Sequence, residues 1–163
     1  MKRILPWLLA ILFLLCACGE VVYTAQEDEV RIVVELDTED DIYEVSFARC
    51  VDGEAFGGCG VSNADRSRLG YNRFGQREKN PKVLLDFLKE DFPNITDLSG
   101  FSMQLYVRNS PLEGVNWDEP FDGTVEVQNE LAFPVEYGHL YRVRLSGSRE
   151  KGYTATYLGE QEG

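Results

Sequence analysis

The sequence predicts a mainly β protein, an antiparallel sandwich, and three observations predict it. Apolar and polar residues alternate with period two along most of the chain, the pattern of sheets with one buried and one wet face. Nine Phe and eight Tyr, within a hydrophobic content of 44%, supply enough apolar surface for one domain core. Gly, Asn, Asp and Pro punctuate the alternating runs at short intervals, as turns require. Two such sheets facing each other make a sandwich, and one curled sheet makes a small barrel, the alternative architecture.

The chain opens with Lys2 and Arg3, followed by a nearly unbroken apolar run from Ile4 to Leu15. A short positive stretch and a short apolar run are the pattern of an export signal. The run falls short of the roughly 20 apolar residues that a spanning helix needs. It ends in Leu15-Cys16-Ala17-Cys18-Gly19, which resembles the lipobox of bacterial lipoproteins. The resemblance implies diacylglyceryl transfer to the Cys18 thiol, cleavage before Cys18 and fatty acylation, such as with palmitate, of the new amino terminus. It also implies residence at a cell membrane or outer membrane, facing the extracytoplasmic side. Cys16 is the other acceptor the run offers, with the bulkier Leu15 before it, and an ordinary secretory signal is the other reading of the run. The expected organisation is a signal at 1–17, a lipidated tether at 18–29 and one sandwich domain at 30–163.

Along the mature chain, Val30, Ile32, Val34 and Leu36 form the first alternating run. Tyr43, Val45 and Phe47 form the second, and an acidic turn joins them into an expected hairpin. Residues 51–80 hold Gly, Ser, Asn and charge and are expected to be a long loop, a kind of segment that is often functional. Asn80-Pro81 reads as a helix start, and Val83, Leu84, Phe87, Leu88 and Phe92 fall at helical spacing, so a helix is expected over 81–92. Alternation resumes at Phe101–Val107, at Val125–Phe133, at Tyr141–Leu145 and at Tyr153–Tyr157. A second irregular loop, residues 110–123, carries Trp117 and Phe121.

Cys50 and Cys59 remain once the signal and the lipid acceptor are set aside. An even pair in an exported chain is expected to form a disulfide. A metal or redox role would call for further Cys or His nearby, or for Cys-x-x-Cys spacing. The stretch from Val135 to Leu145 resembles the turn and strand of immunoglobulin-like and fibronectin type III domains, in which a Gly precedes a Tyr that opens an alternating strand. The resemblance places Tyr141 at the tyrosine corner, with its hydroxyl tied to upstream backbone. It implies an Ig-like sandwich, and Val143 stands where antibody-type domains carry their second inter-sheet Cys.

Charge narrows the partners. The formal net charge is −12, and removing Lys2 and Arg3 leaves 14 basic against 28 acidic residues. Such a surface repels phosphate backbones, so no nucleic-acid partner is expected. The charge is segregated: residues 66–82 (RSRLGYNRFGQREKNPK) hold six basic residues and one acid. Leu69, Tyr71 and Phe74 are interleaved with them. Arg66, Arg68, Tyr71, Arg73 and Arg77 are the candidate contacts for an anionic envelope polymer or membrane face; the competing reading folds them back onto the domain's own acidic surface. No catalytic residue, cofactor or metal is expected. The one His, His139, sits in the expected corner, and the acidic turns around Asp37–Asp41 and Asp118–Asp122 lack the spacing of a calcium loop. The sequence therefore points to a non-enzymatic envelope lipoprotein with a binding or structural role. An inhibitor or sequestering protein for a basic partner such as a lysozyme-like enzyme is the alternative. A hydrolase using an acidic pair near Trp117 stands third.

Overall fold

The computed structural model describes residues 23–112 and 123–161. The expectations for the export signal and for Cys18 lie outside those residues, as do Trp117, Asp118, Glu119, Phe121 and Asp122. The strands among the described residues are β1 Glu29–Thr38, β2 Glu44–Val51, β3 Glu54–Ser62, β4 Lys82–Leu88, β5 Phe101–Arg108, β6 Val125–Glu126, β7 Leu131–Ala132, β8 Leu140–Ser148 and β9 Gly152–Gln161. They form two separate sheets, not one closed barrel. The first runs β4-β1-β8-β9, and the second runs β3-β2-β5-β6 with β7 also pairing with β5.

The alternating residues make the core. Val30, Ile32, Val34 and Leu36 of β1 and Val45, Phe47 and Val51 of β2 are buried, together with Met103, Leu105 and Val107 of β5. Phe47, Phe87 and Phe101 meet edge to face, with centroids 5.0 Å and 5.6 Å apart, the geometry that aromatic quadrupoles favour.

Four expectations are corrected. The helix over 81–92 is absent: the segment is β4, closed by a single 3-10 turn at Lys89–Asp91. Val83, Leu85 and Phe87 point into the core at period two, while Leu84 lies on the other face. The apolar residues on both faces had mimicked a helical stripe. Pro81 costs no ladder bond at the strand entry, and its carbonyl accepts from the Leu36 N–H at 2.8 Å.

The expected hairpin of β1 with β2 is also absent, because the two strands lie in different sheets. β4 pairs antiparallel along one edge of β1 and β8 pairs parallel along the other, so the sandwich is not wholly antiparallel. The same inward phase serves two strands facing each other across the core as well as two strands side by side.

The expected loop 51–80 contains β3, which among the described residues pairs only with β2. Its glycines suit close backbone approach: a Cβ on Gly58 would collide with the Phe47 carbonyl. Finally, Val125–Phe133 is not one strand. Asn129 interrupts it by bonding to the β9 backbone, donating to the Ala155 carbonyl at 2.8 Å and accepting from the Ala155 N–H at 3.0 Å.

Candidate functional site

The basic segment after β3 divides into an inward and an outward half. Leu69 is buried and its N–H bonds to the Ile42 carbonyl at 2.7 Å, which pins the segment to the sandwich. Arg68 Nη1 lies 2.8 Å from Asp41 Oδ2, with its guanidinium 4.0 Å from the Tyr71 ring centroid. The Tyr71 hydroxyl donates to the same carboxylate, and Arg77 donates to the Thr38 carbonyl at 2.7 Å. The Tyr71 hydroxyl, then Arg68, hold the Asp41 carboxyl below the usual carboxylate range. Arg68, Tyr71 and Arg77 therefore fold back onto the domain. Arg66 and Arg73 are exposed, and Phe74 beside them is 73% exposed.

The far end of the same segment meets β8. Lys79 and Lys82 line a cleft of about 410 Å³ with Glu35, Arg142 and Arg144. The register explains the convergence, since Glu35 of β1 opposes Lys82 of β4 on one side and Arg144 of β8 on the other. Glu35 accepts from Arg142 Nε at 3.1 Å, from Arg142 Nη2, and from Arg144 Nη2 at 3.2 Å. Burial alone would raise the Glu35 carboxyl; the bonds from Arg142 and Arg144 outweigh it and hold the carboxyl low. One carboxylate between two guanidiniums leaves positive charge in excess, and Lys79 and Lys82 add to it against Asp37. Guanidinium forks beside ammonium groups suit phosphate or carboxylate ligands. Sequence reasoning missed Arg142 and Arg144, which alternate outward on β8 like any solvated residues. The available signal was two arginines two apart on one face.

The chain before β1 lies across the outer face of the first sheet. Arg31 Nη1 donates to the Thr24 carbonyl at 2.6 Å, and the Lys82 ammonium is 5.7 Å from the Tyr23 ring centroid. Between the rows of Arg31 and Lys82 lies the rung of Val33 against Leu84. Val33 faces outward in that rung and is 1% exposed. Residue 23 thus stands beside the basic cleft.

The other expected residues are scattered. Cys50 and Cys59 are free thiols, and the expected disulfide is not formed. Cys59 pairs with Phe47 and Cys50 with Ala55, so they stand three residues apart along the ladder. That is about 10 Å along a strand, and an odd offset turns the side chains to opposite faces, outside bonding geometry. His139 Nδ1 is 2.6 Å from Glu160 at the end of the molecule away from the cleft. In the acidic turn, Asp40 accepts from the Tyr153 hydroxyl and the Arg149 N–H, and Glu39 pairs with Lys151. Among the described residues, no group of His, Cys, Asp and Glu is arranged to hold a metal ion.

No family model matches the chain, and no curated protein matches it. Solved structures do. A non-hemolytic pneumolysin from Streptococcus pneumoniae matches at 9% identity and a TM-score of 0.35, over 82% of this chain and 24% of that one. A disulfide-locked mutant of intermedilysin with human CD59 matches at 9% identity and a TM-score of 0.35, over 82% and 24%. A Gram-negative toxin matches at 10% identity and a TM-score of 0.33, over 81% and 23%. The chain spans about a quarter of the length of these toxins. A likeness at this level says nothing about function.

Proposed function

We propose that the chain is a lipid-anchored protein of the cell envelope, acylated at Cys18, that catalyses no reaction and binds an anionic envelope component with the basic end of its sandwich. The observation that carries this reading is the convergence of Lys79, Lys82, Arg142 and Arg144 on one cleft in an otherwise acidic chain. The tether supports it, because residue 23 ends beside that cleft. The anchor would hold the domain at the cell membrane or the outer membrane, on the extracytoplasmic side. Two or more acyl chains give stable residence there.

We also read the sandwich as Ig-like in construction. The support is local: the Glu136 N–H donates to the Tyr141 hydroxyl at 2.8 Å, five residues upstream, as in a tyrosine corner. The acidic turn that would attract a basic enzyme is largely occupied by the protein's own Arg68, Tyr71, Tyr153 and Lys151, which weakens the inhibitor reading.

The test is retention of the purified protein on isolated envelopes at rising salt. Reversing the charge of Lys79 and removing that of Arg144, with Lys79→Glu and Arg144→Gln, is expected to abolish most of the salt-sensitive retention and to lower the melting temperature only slightly, since Arg142 keeps its bonds to Glu35. Retention unchanged by the reversal sinks the reading. Salt-sensitive capture of a lysozyme-like enzyme in its place would favour sequestration.

A further inference from the structure

The basic segment carries one feature that anion binding in the cleft does not use. Phe74 is the most exposed large apolar side chain among the described residues, at 73%. It sits at the tip of a turn closed by a bridge between Tyr71 and Arg77. The Asn72 side-chain oxygen accepts from the Phe74 N–H at 2.9 Å and from the Gln76 N–H at 3.1 Å. Gly75 supplies the positive φ of +72° that the turn needs. The tip is thus held in shape by its own hydrogen bonds, and it presents the ring outward. The Arg73 guanidinium lies 4.8 Å from the ring centroid.

The position of the tip suggests what it meets. Arg77 bonds to the Thr38 carbonyl and Pro81 to the Leu36 N–H, so the turn stands at the end of the sandwich where β1 finishes. The tether crosses the sheet toward that same end, reaching the row of Glu35 and Lys82 at Tyr23. Cys18 lies five residues before Tyr23 in the sequence, a reach of at most about 18 Å. Lipid attached there would keep this end of the domain against the bilayer. Arg73 in the turn and Lys79 two residues after it are both exposed.

We infer that the 71–77 turn is a second membrane contact: the Phe74 ring enters the interface of the bilayer that holds the anchor, and Arg73 and Lys79 meet anionic phospholipid headgroups. The inference rests on the lipid anchor proposed above. Aromatic rings settle at the headgroup level, and basic side chains are drawn to anionic leaflets. One ring and a few cations bind a membrane weakly on their own. Tethering makes the contact intramolecular, at high effective concentration, so a weak contact suffices to set orientation. The contact fixes the cleft at the membrane surface, which makes the lipid headgroup the anion nearest to it.

The experiment is Phe74→Trp in the mature acylated protein, reconstituted in phosphatidylcholine vesicles with and without phosphatidylglycerol. The parent spectrum is subtracted to remove Trp117, the one tryptophan downstream of Cys18. In anionic vesicles the introduced indole is expected to emit at shorter wavelength and to be quenched by brominated lipid. Both effects are expected to be lost when Arg73→Glu and Lys79→Glu are added. A water-like, unquenched indole in both vesicle types overturns the inference and leaves the anchor standing. A shift produced by lipid-free polyphosphate on protein in neutral vesicles overturns the bilayer as occupant and leaves anion binding standing. An unmodified Cys18 peptide in mass spectrometry overturns the anchor, and the inference with it.

Discussion

Asp41 shows how one residue can hold two pieces of the fold together. Its carboxylate collects the Tyr71 hydroxyl and the Arg68 guanidinium, and so fastens the basic segment to the sandwich. Glu35 and Asp40 are likewise held below their ordinary range: Glu35 by Arg142 and Arg144 against its burial, Asp40 by Tyr153 and the Arg149 N–H. A carboxyl depressed in the folded state contributes stability at pH values above its unfolded pKa, and that stability is lost as pH falls through the folded value. The melting temperature is therefore expected to hold from neutral pH down to about 4 and to drop below it. Asp41→Asn should lower the neutral melting temperature modestly, since this pair is partly exposed, and should shrink the acid-induced drop. Thermal melts of both proteins across pH check this. At this scale the sequence was half legible. The excess of basic residues in 66–82 is visible in the letters, but which of them turn inward depends on Asp41, far away in the chain. Arg142 and Arg144 became site residues only through the register that brings β8 beside Glu35.

Strand identity was legible wherever one face is wet, as in β5 and β8, where inward and outward residues differ sharply. It failed where both faces are covered or both are open. β4 carries Leu84 on its outer face, against Val33, and the extra apolar residue imitated a helical stripe. β3 has the opposite problem: as an edge strand rich in glycine, with most of its residues exposed, it has no periodicity to read. The register of β3 on β2 carries its own prediction. Cys50 and Cys59 are expected to titrate as two thiols in the unreduced native domain, the exposed Cys59 reacting with Ellman's reagent faster than Cys50. A reductant should leave the melting temperature unchanged. Zero free thiols, with a melting temperature lowered by reductant, would show that the ladder runs in a different register.

For the whole molecule, two facing sheets followed from the alternation and the aromatic content, but the order of strands did not. Short-range patterns carry no record of which strand crosses the core, so the hairpin of β1 with β2 was the natural and mistaken reading. The observed topology places β1 between β4 and β8, joining the beginning of the domain to its end in one sheet. A chain ending before Leu140 should then show no cooperative thermal transition, because β1 would lose the whole of one edge. A cooperative melt from that truncation would contradict the topology.

The parallel pairing of β1 with β8 also sets the order in which the molecule can assemble. A chain emerging amino-terminus first cannot finish its first sheet until its last two strands are free, more than a hundred residues after β1 begins. Closing so distant a pairing is slow. The nascent polypeptide therefore keeps its first sheet unfinished until β8 is made, a delay that suits the export proposed above.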